Sequence, residues 1–142
     1  MNSMQPLDLP LHWLERARSD LNLADVALRT PGVLYEDACF HTQQCVEKAL
    51  KGYLTRLGIS FPRTHVIETL LDLLKENNIL IPDAVDEAFT LTQYAVQTRY
   101  PGEWEAVTLQ ETQQALERAA FVLTWVDGQI RSGYANDIIS GA

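Results

Sequence analysis

The sequence predicts an all-α protein: an up-and-down antiparallel helical bundle of four long helices and one short one. Three observations carry this expectation. Apolar residues recur at spacings of three and four in five stretches, the signature of a helix face. No segment alternates at period two for long enough to make a sheet. Stop signals such as Thr30-Pro31-Gly32, Gly58, Asn77-Asn78 and Pro101-Gly102 separate the stretches, so connections are short and neighbouring helices run antiparallel. A chain of 142 residues is expected to form one domain over 1–142, with its core at about 9–133 and a loose tail at 134–142.

Helix one begins near Pro10, a residue suited to a first turn. Leu14, Ala17, Leu21, Ala24 and Leu28 form its stripe, widened by Leu11, Trp13 and Val26. Helix two runs from about Val33 to Leu57. In it Cys45, Ala49 and Tyr53 make one row of residues four apart, and Val46, Leu50, Leu54 and then Leu57 a second. Gln44, Glu47, Lys48 and Lys51 form a polar ridge on another side. A short third helix follows a cap at Thr64 and packs through Ile67, Leu70, Leu71 and Leu74. Helix four extends from Pro82 to about Arg99, with Val85, Ala88, Phe89, Thr92 and Ala95 or Val96 inward. Thr108 and Glu111 have the spacing of a capping box and open helix five, whose stripe continues to Ile130.

Composition narrows the function. Hydrophobic content of 46% and charged content of 21% are those of a globular domain, and the net charge of −8 opposes strong nonspecific binding to nucleic acid. Cys39 and Cys45 on one helix would stand about 9 Å apart along its axis, too far for a disulfide. They read as reduced core thiols. The first residues lack the pattern of a signal peptide, and no apolar run is long enough to cross a bilayer, so a cytoplasmic protein without a membrane role is expected. There is no glycine-rich phosphate loop, no paired-histidine metal motif and no GxSxG elbow, so neither a metal nor a cofactor is expected.

Helix two carries more than periodicity. Its run Ala38-Cys39-Phe40-His41-Thr42-Gln43-Gln44-Cys45-Val46-Glu47-Lys48-Ala49-Leu50-Lys51 resembles the signature helix of the HEPN domain (higher eukaryotes and prokaryotes nucleotide-binding). Pro62-Arg63-Thr64-His65 and Thr98-Arg99-Tyr100-Pro101-Gly102 resemble two later segments of that family, in the right order. The resemblance spans about Trp13 to Val126 and implies a homodimeric helical bundle. It also implies pairing with a minimal nucleotidyltransferase, and either nucleotide binding or the RNA-cleaving activity of a toxin–antitoxin pair. That cleavage rests on an Arg followed by four to six residues and a His. None of the three histidines here, His12, His41 and His65, stands at that spacing from an arginine. No catalytic residue is carried over, and a non-catalytic binding module is the leading expectation.

Seven residues are candidates for a nucleotide or phosphate ligand. Lys48 and Lys51 share a helix face and could hold a phosphate, or simply be solvated with Glu47 compensating Lys51. Arg63 and His65 flank the start of the third helix, where free amides favour an anion; otherwise Arg63 is solvated and His65 makes a local cap contact. Arg99, Tyr100 and Trp104 could hold a phosphate and stack on a base, or close the helix end. His41 is either a satisfied, partly buried imidazole facing another helix or a second copy or, in a ribonuclease reading, His41 or His65 is the general acid or base and Arg99 stabilises the transition-state charge. A third reading is a purely structural interaction protein.

Overall fold

The computed structural model describes the backbone of residues 8–96, 102 and 105–139. Arg99, Tyr100 and Trp104 lie outside the described residues. Every regular element among those described is helical: α1 (Asp8–Arg29), α2 (Tyr35–Arg56), α3 (Ile67–Glu76), the four-residue α4 (Asp83–Asp86) running into a 3-10 segment (Glu87–Tyr94), and α5 (Leu109–Ile139). The predicted all-α bundle is the architecture observed.

Helix α2 is the axis of the bundle, packed against α1, α3, the 3-10 segment and α5. Its two predicted rows are buried completely at Cys45, Val46, Ala49, Leu50 and Leu54, and Tyr53 is nearly so. Leu57, placed in the second row by its spacing, lies past the helix end and is exposed. Small residues let α1 come close. Ala17 and Ala24 are fully buried, and at Gly52 an added Cβ would stand 2.9 Å from the Trp13 Cβ. Val26, predicted to widen the α1 stripe, faces solvent instead.

Two helix ends differ from expectation. Thr64 does not cap α3. Its Oγ1 accepts from the Val66 amide at 3.0 Å, while the Ile67 amide donates to Thr92 Oγ1 at 3.1 Å, and the Thr92 hydroxyl donates to Glu68 Oε1. At α5, Thr108 Oγ1 does accept from the Glu111 amide at 3.1 Å, the first half of the capping box. Helix α5 then runs through Gly128 and Gly133 to Ile139, beyond Tyr134, where a loose tail was expected.

The fourth helix departs most. Instead of one long α-helix it makes a single α turn and then eight residues of 3-10 helix. Within it Thr90 Oγ1 donates to the Glu87 carbonyl three residues back at 3.0 Å. Three residues per turn rotate the buried face. Val85 and Ala88 are buried as predicted and Leu91 and Tyr94 follow at strict spacings of three, whereas the predicted Phe89 is exposed; of the alternatives Ala95 and Val96, Ala95 is half-buried and Val96 exposed.

Candidate functional site

The polar ridge of α2 is not a solvated face. Glu47 is 4% exposed and Lys51 9%, and both sit in one buried network. Spacings of three and four place Gln43, Gln44 and Lys51 within reach of the Glu47 carboxylate. Lys51 Nζ donates to Glu47 Oε1 at 2.7 Å, Gln43 Nε2 to Oε2 at 3.0 Å and Gln44 Nε2 to Oε2 at 3.3 Å. The connector before α3 supplies the fourth donor, His65 Nδ1, at 3.0 Å from Oε2. Gln43 Nε2 also donates to the His65 carbonyl at 3.0 Å, which fastens the connector to α2. Lys51 Nζ lies 6.0 Å from the centre of the Phe61 ring, so the connector covers it with an aromatic face.

Burial pushes the Glu47 carboxyl upward, but hydrogen bonds from Lys51, His65 and Gln43, with the Lys51 charge, outweigh it. The net effect holds the group below the ordinary value of 4.5. It is therefore a carboxylate at neutral pH, and an acceptor only. His65 must then carry its proton on Nδ1, which leaves Nε2 on the outward side of a ring whose side chain is 69% exposed.

A second node lies one row away on the same helix. Asp20 of α1, 9% exposed, accepts from His41 Nδ1 at 2.9 Å and from Lys48 Nζ at 2.6 Å. The His41 and Lys48 side chains are 23% and 26% exposed. Below them the Cys45 thiol is pushed up to about 12, by burial first and the Asp20 charge second. Cys39, which donates to Thr112 Oγ1, is likewise raised by burial. Both cysteines are free, buried thiols, as their spacing predicted.

Lys51 and His65 are thus held by Glu47, and Lys48 and His41 by Asp20. Arg63 stands exposed two residues from His65 and makes no ion pair among the described residues. At the start of α3, where an anion site was expected, the Ile67 amide donates to Thr92 and His65 turns to Glu47 rather than capping. Asp20 was missed by sequence reasoning. Its signal was a carboxylate three residues from Ala17 and four from Ala24, inside an apolar row. Among the described residues, no group of three His, Cys, Asp or Glu side chains could hold a metal ion.

Comparison with known proteins decides the family. The model of the HEPN domain matches residues 11–129. The chain belongs to the HEPN family. A Methanocaldococcus jannaschii protein named "Putative toxin MJ1304" is 31% identical over 136 residues, 86% of this chain and 88% of that protein. The crystal structure of ST0689, an archaeal HEPN homologue, superposes with a TM-score of 0.68 at 33% identity, covering 89% of this chain and 99% of that one. The crystal structure of TT1696 from Thermus thermophilus gives a TM-score of 0.70 at 34% identity, covering 84% of this chain and 96% of that one. This HEPN chain thus carries its two buried carboxylates on α1 and α2, inside the matched region. No helix among its described residues is long and apolar enough to cross a membrane.

Proposed function

We propose that this HEPN chain is a homodimeric binding module that holds a phosphate-bearing ligand, such as a nucleotide, on the polar face of α2. In the same reading it pairs with a minimal nucleotidyltransferase. The observation that carries the ligand part is the pair of buried carboxylates, Asp20 and Glu47, each fixing one lysine and one histidine in place. Lys48 spends one N–H on Asp20 and keeps two for a ligand, whereas Lys51 lies under Phe61 and holds Glu47 in place. A histidine held through Nδ1 offers Nε2–H once protonated. With both carboxylates satisfied internally, an incoming phosphate meets fixed donors, and Arg63 adds a guanidinium on the adjoining connector. The test is thermal melting with nucleotide at millimolar concentration. A ligand of the native state raises Tm, and Lys48→Met or His65→Ala should remove the rise. An unchanged Tm at every nucleotide tried sinks the ligand part. For the partner, light scattering after size exclusion, with and without the neighbouring gene product, should give a dimer that captures the transferase.

One observation favours a second reading, a ribonuclease toxin with an altered site. His41–Asp20 and His65–Glu47 are histidine–carboxylate pairs of the kind that orient a general acid or base. A relative bearing the word toxin in its name adds to it. Induced expression alone separates the readings: growth arrest with degraded RNA, relieved by the transferase, supports the toxin. Normal growth with intact RNA leaves the binding module.

A further inference from the structure

Helix α3 and the 3-10 segment pack side by side on α2 and expose their outer face. Three residues per turn align Asp86, Phe89 and Thr92 in one row. Spacings of four and three align Glu68, Asp72 and Lys75 on α3. The two rows run antiparallel and are tied at both ends. Lys75 Nζ meets Asp86 Oδ1 at 2.7 Å, and Thr92 Oγ1 donates to Glu68 Oε1 at 2.7 Å. Midway between the ties, Phe89 therefore stands opposite Asp72. The Phe89 residue is 47% exposed, and Asp72 is exposed and makes no ion pair among the described residues. At the Lys75 end, the connector from α3 to α4 carries Leu80, which is 92% exposed.

We propose that this face docks an arginine-bearing basic segment of a partner protein, with a guanidinium stacked on Phe89 and hydrogen-bonded to Asp72. Charge complementarity names the occupant. Residues 67–94 hold the carboxylates of Glu68, Asp72, Glu76, Asp83, Asp86 and Glu87 against the single cation of Lys75, so this stretch carries five of the eight net negative charges. Lys75 is spent on Asp86, and Arg118 meets Glu87 on the side of the 3-10 segment that faces α5. A planar guanidinium suits Phe89 and Asp72 together, because it stacks on an aromatic face and gives two parallel N–H bonds to a carboxylate. A single small cation would leave most of the face untouched. Glu68 and Glu76 stand about 12 Å apart along α3, so a chain with several basic residues is what spans them, and its apolar side chains can cover Leu80. None of these residues belongs to the Glu47 or Asp20 networks. The inference therefore stands apart from the ligand reading of α2, and it holds for any protein partner that presents such a segment.

The experiment is an amide-resonance titration of the full chain with capped peptides of equal length, built from alanine and leucine with arginine, lysine or glutamate interspersed. The arginine peptide should shift resonances of α3, the connector after it and the 3-10 segment. The lysine peptide should bind severalfold more weakly, and the glutamate peptide should shift nothing. Phe89→Ala and Asp72→Asn, both at exposed positions, should each weaken the arginine peptide by about threefold. Glu117→Gln removes the same charge from an exposed position on α5 and should leave binding unchanged, as should Lys48→Met on α2. Absence of shifts on α3 and the 3-10 segment at millimolar arginine peptide overturns the proposal. So does binding that Glu117→Gln weakens as much as Asp72→Asn does, because that is attraction to the net charge alone. Indifference to Phe89→Ala, or equal binding of the lysine peptide, overturns it too.

Discussion

The two carboxylate nodes on the polar side of α2 look alike in composition and differ in construction. Glu47 collects three of its four donors from its own helix, and only His65 comes from elsewhere. Asp20 takes both of its donors from a different helix, so it ties α1 to α2. The first node is deeper and denser, and its lysine is buried with it. The second leaves its lysine and histidine in reach of water. The Glu47 network is thus a pre-set piece of one helix that recruits a connector, whereas the Asp20 network exists only once two helices have packed. Stability should depend more steeply on the first.

The largest effect follows from removing its carboxylate. Glu47→Ala strands Lys51 as a buried charge, with a side chain only 11% exposed, and should cost about 3–5 kcal/mol. Urea denaturation measures it as a lower midpoint at unchanged slope. A loss under about 1 kcal/mol would mean that the network is solvated after all. Asp20→Ala comes next, at about 1–3 kcal/mol, because its stranded partners can rehydrate. A cost above that of Glu47→Ala would reverse the comparison and make the α1–α2 tie the dominant one.

The same contrast explains what was legible in the sequence. Intrahelical pairs obey fixed spacing, so Glu47 with Lys51 was visible at once, as were the buried rows of α2. Asp20 with His41 and Lys48 requires knowing how α1 docks on α2, which no spacing encodes. A carboxylate inside the Ala17–Ala24 row was the one clue. The third and fourth helices failed for a related reason. Thr64 has the right type and place for a cap, yet Thr92, twenty-five residues from Ile67, reaches its amide instead. The 3-10 turns from Glu87 to Tyr94 put Leu91 and Tyr94 inward and Phe89 outward. Periodicity presumed 3.6 residues per turn where the backbone takes three. The expectations for Arg99, Tyr100 and Trp104 fall outside the described residues.

Acid should sharpen the comparison with a smaller effect. Glu47 has a folded pKa below its ordinary value of 4.5, so its ionised form contributes stability that is fully present above that value. The contribution is lost as pH falls through the lowered folded pKa. Glu47→Gln keeps the shape and removes the titration. The difference in unfolding free energy between wild type and this variant should therefore be constant above about pH 5 and narrow below it. A difference that stays flat down to about pH 3 would mean that Glu47 does not titrate as a buried, hydrogen-bonded acid.

The smallest expected effect is at the histidines, and there the order should invert. His65 contributes to the stronger node, but its side chain is 69% exposed, against 23% for His41. His65→Ala should cost under about 1 kcal/mol, since water replaces the lost donor and Glu47 retains Lys51, Gln43 and Gln44. His41→Ala removes one of only two donors from Asp20 and a ring packed edge-on to Phe40 at 5.2 Å, and should cost about 1–2 kcal/mol. Chemical denaturation of the two single variants decides it. If His65→Ala is the costlier, the connector is held on α2 chiefly through that imidazole, and the exposed ring is a structural clasp rather than a group kept available for a ligand.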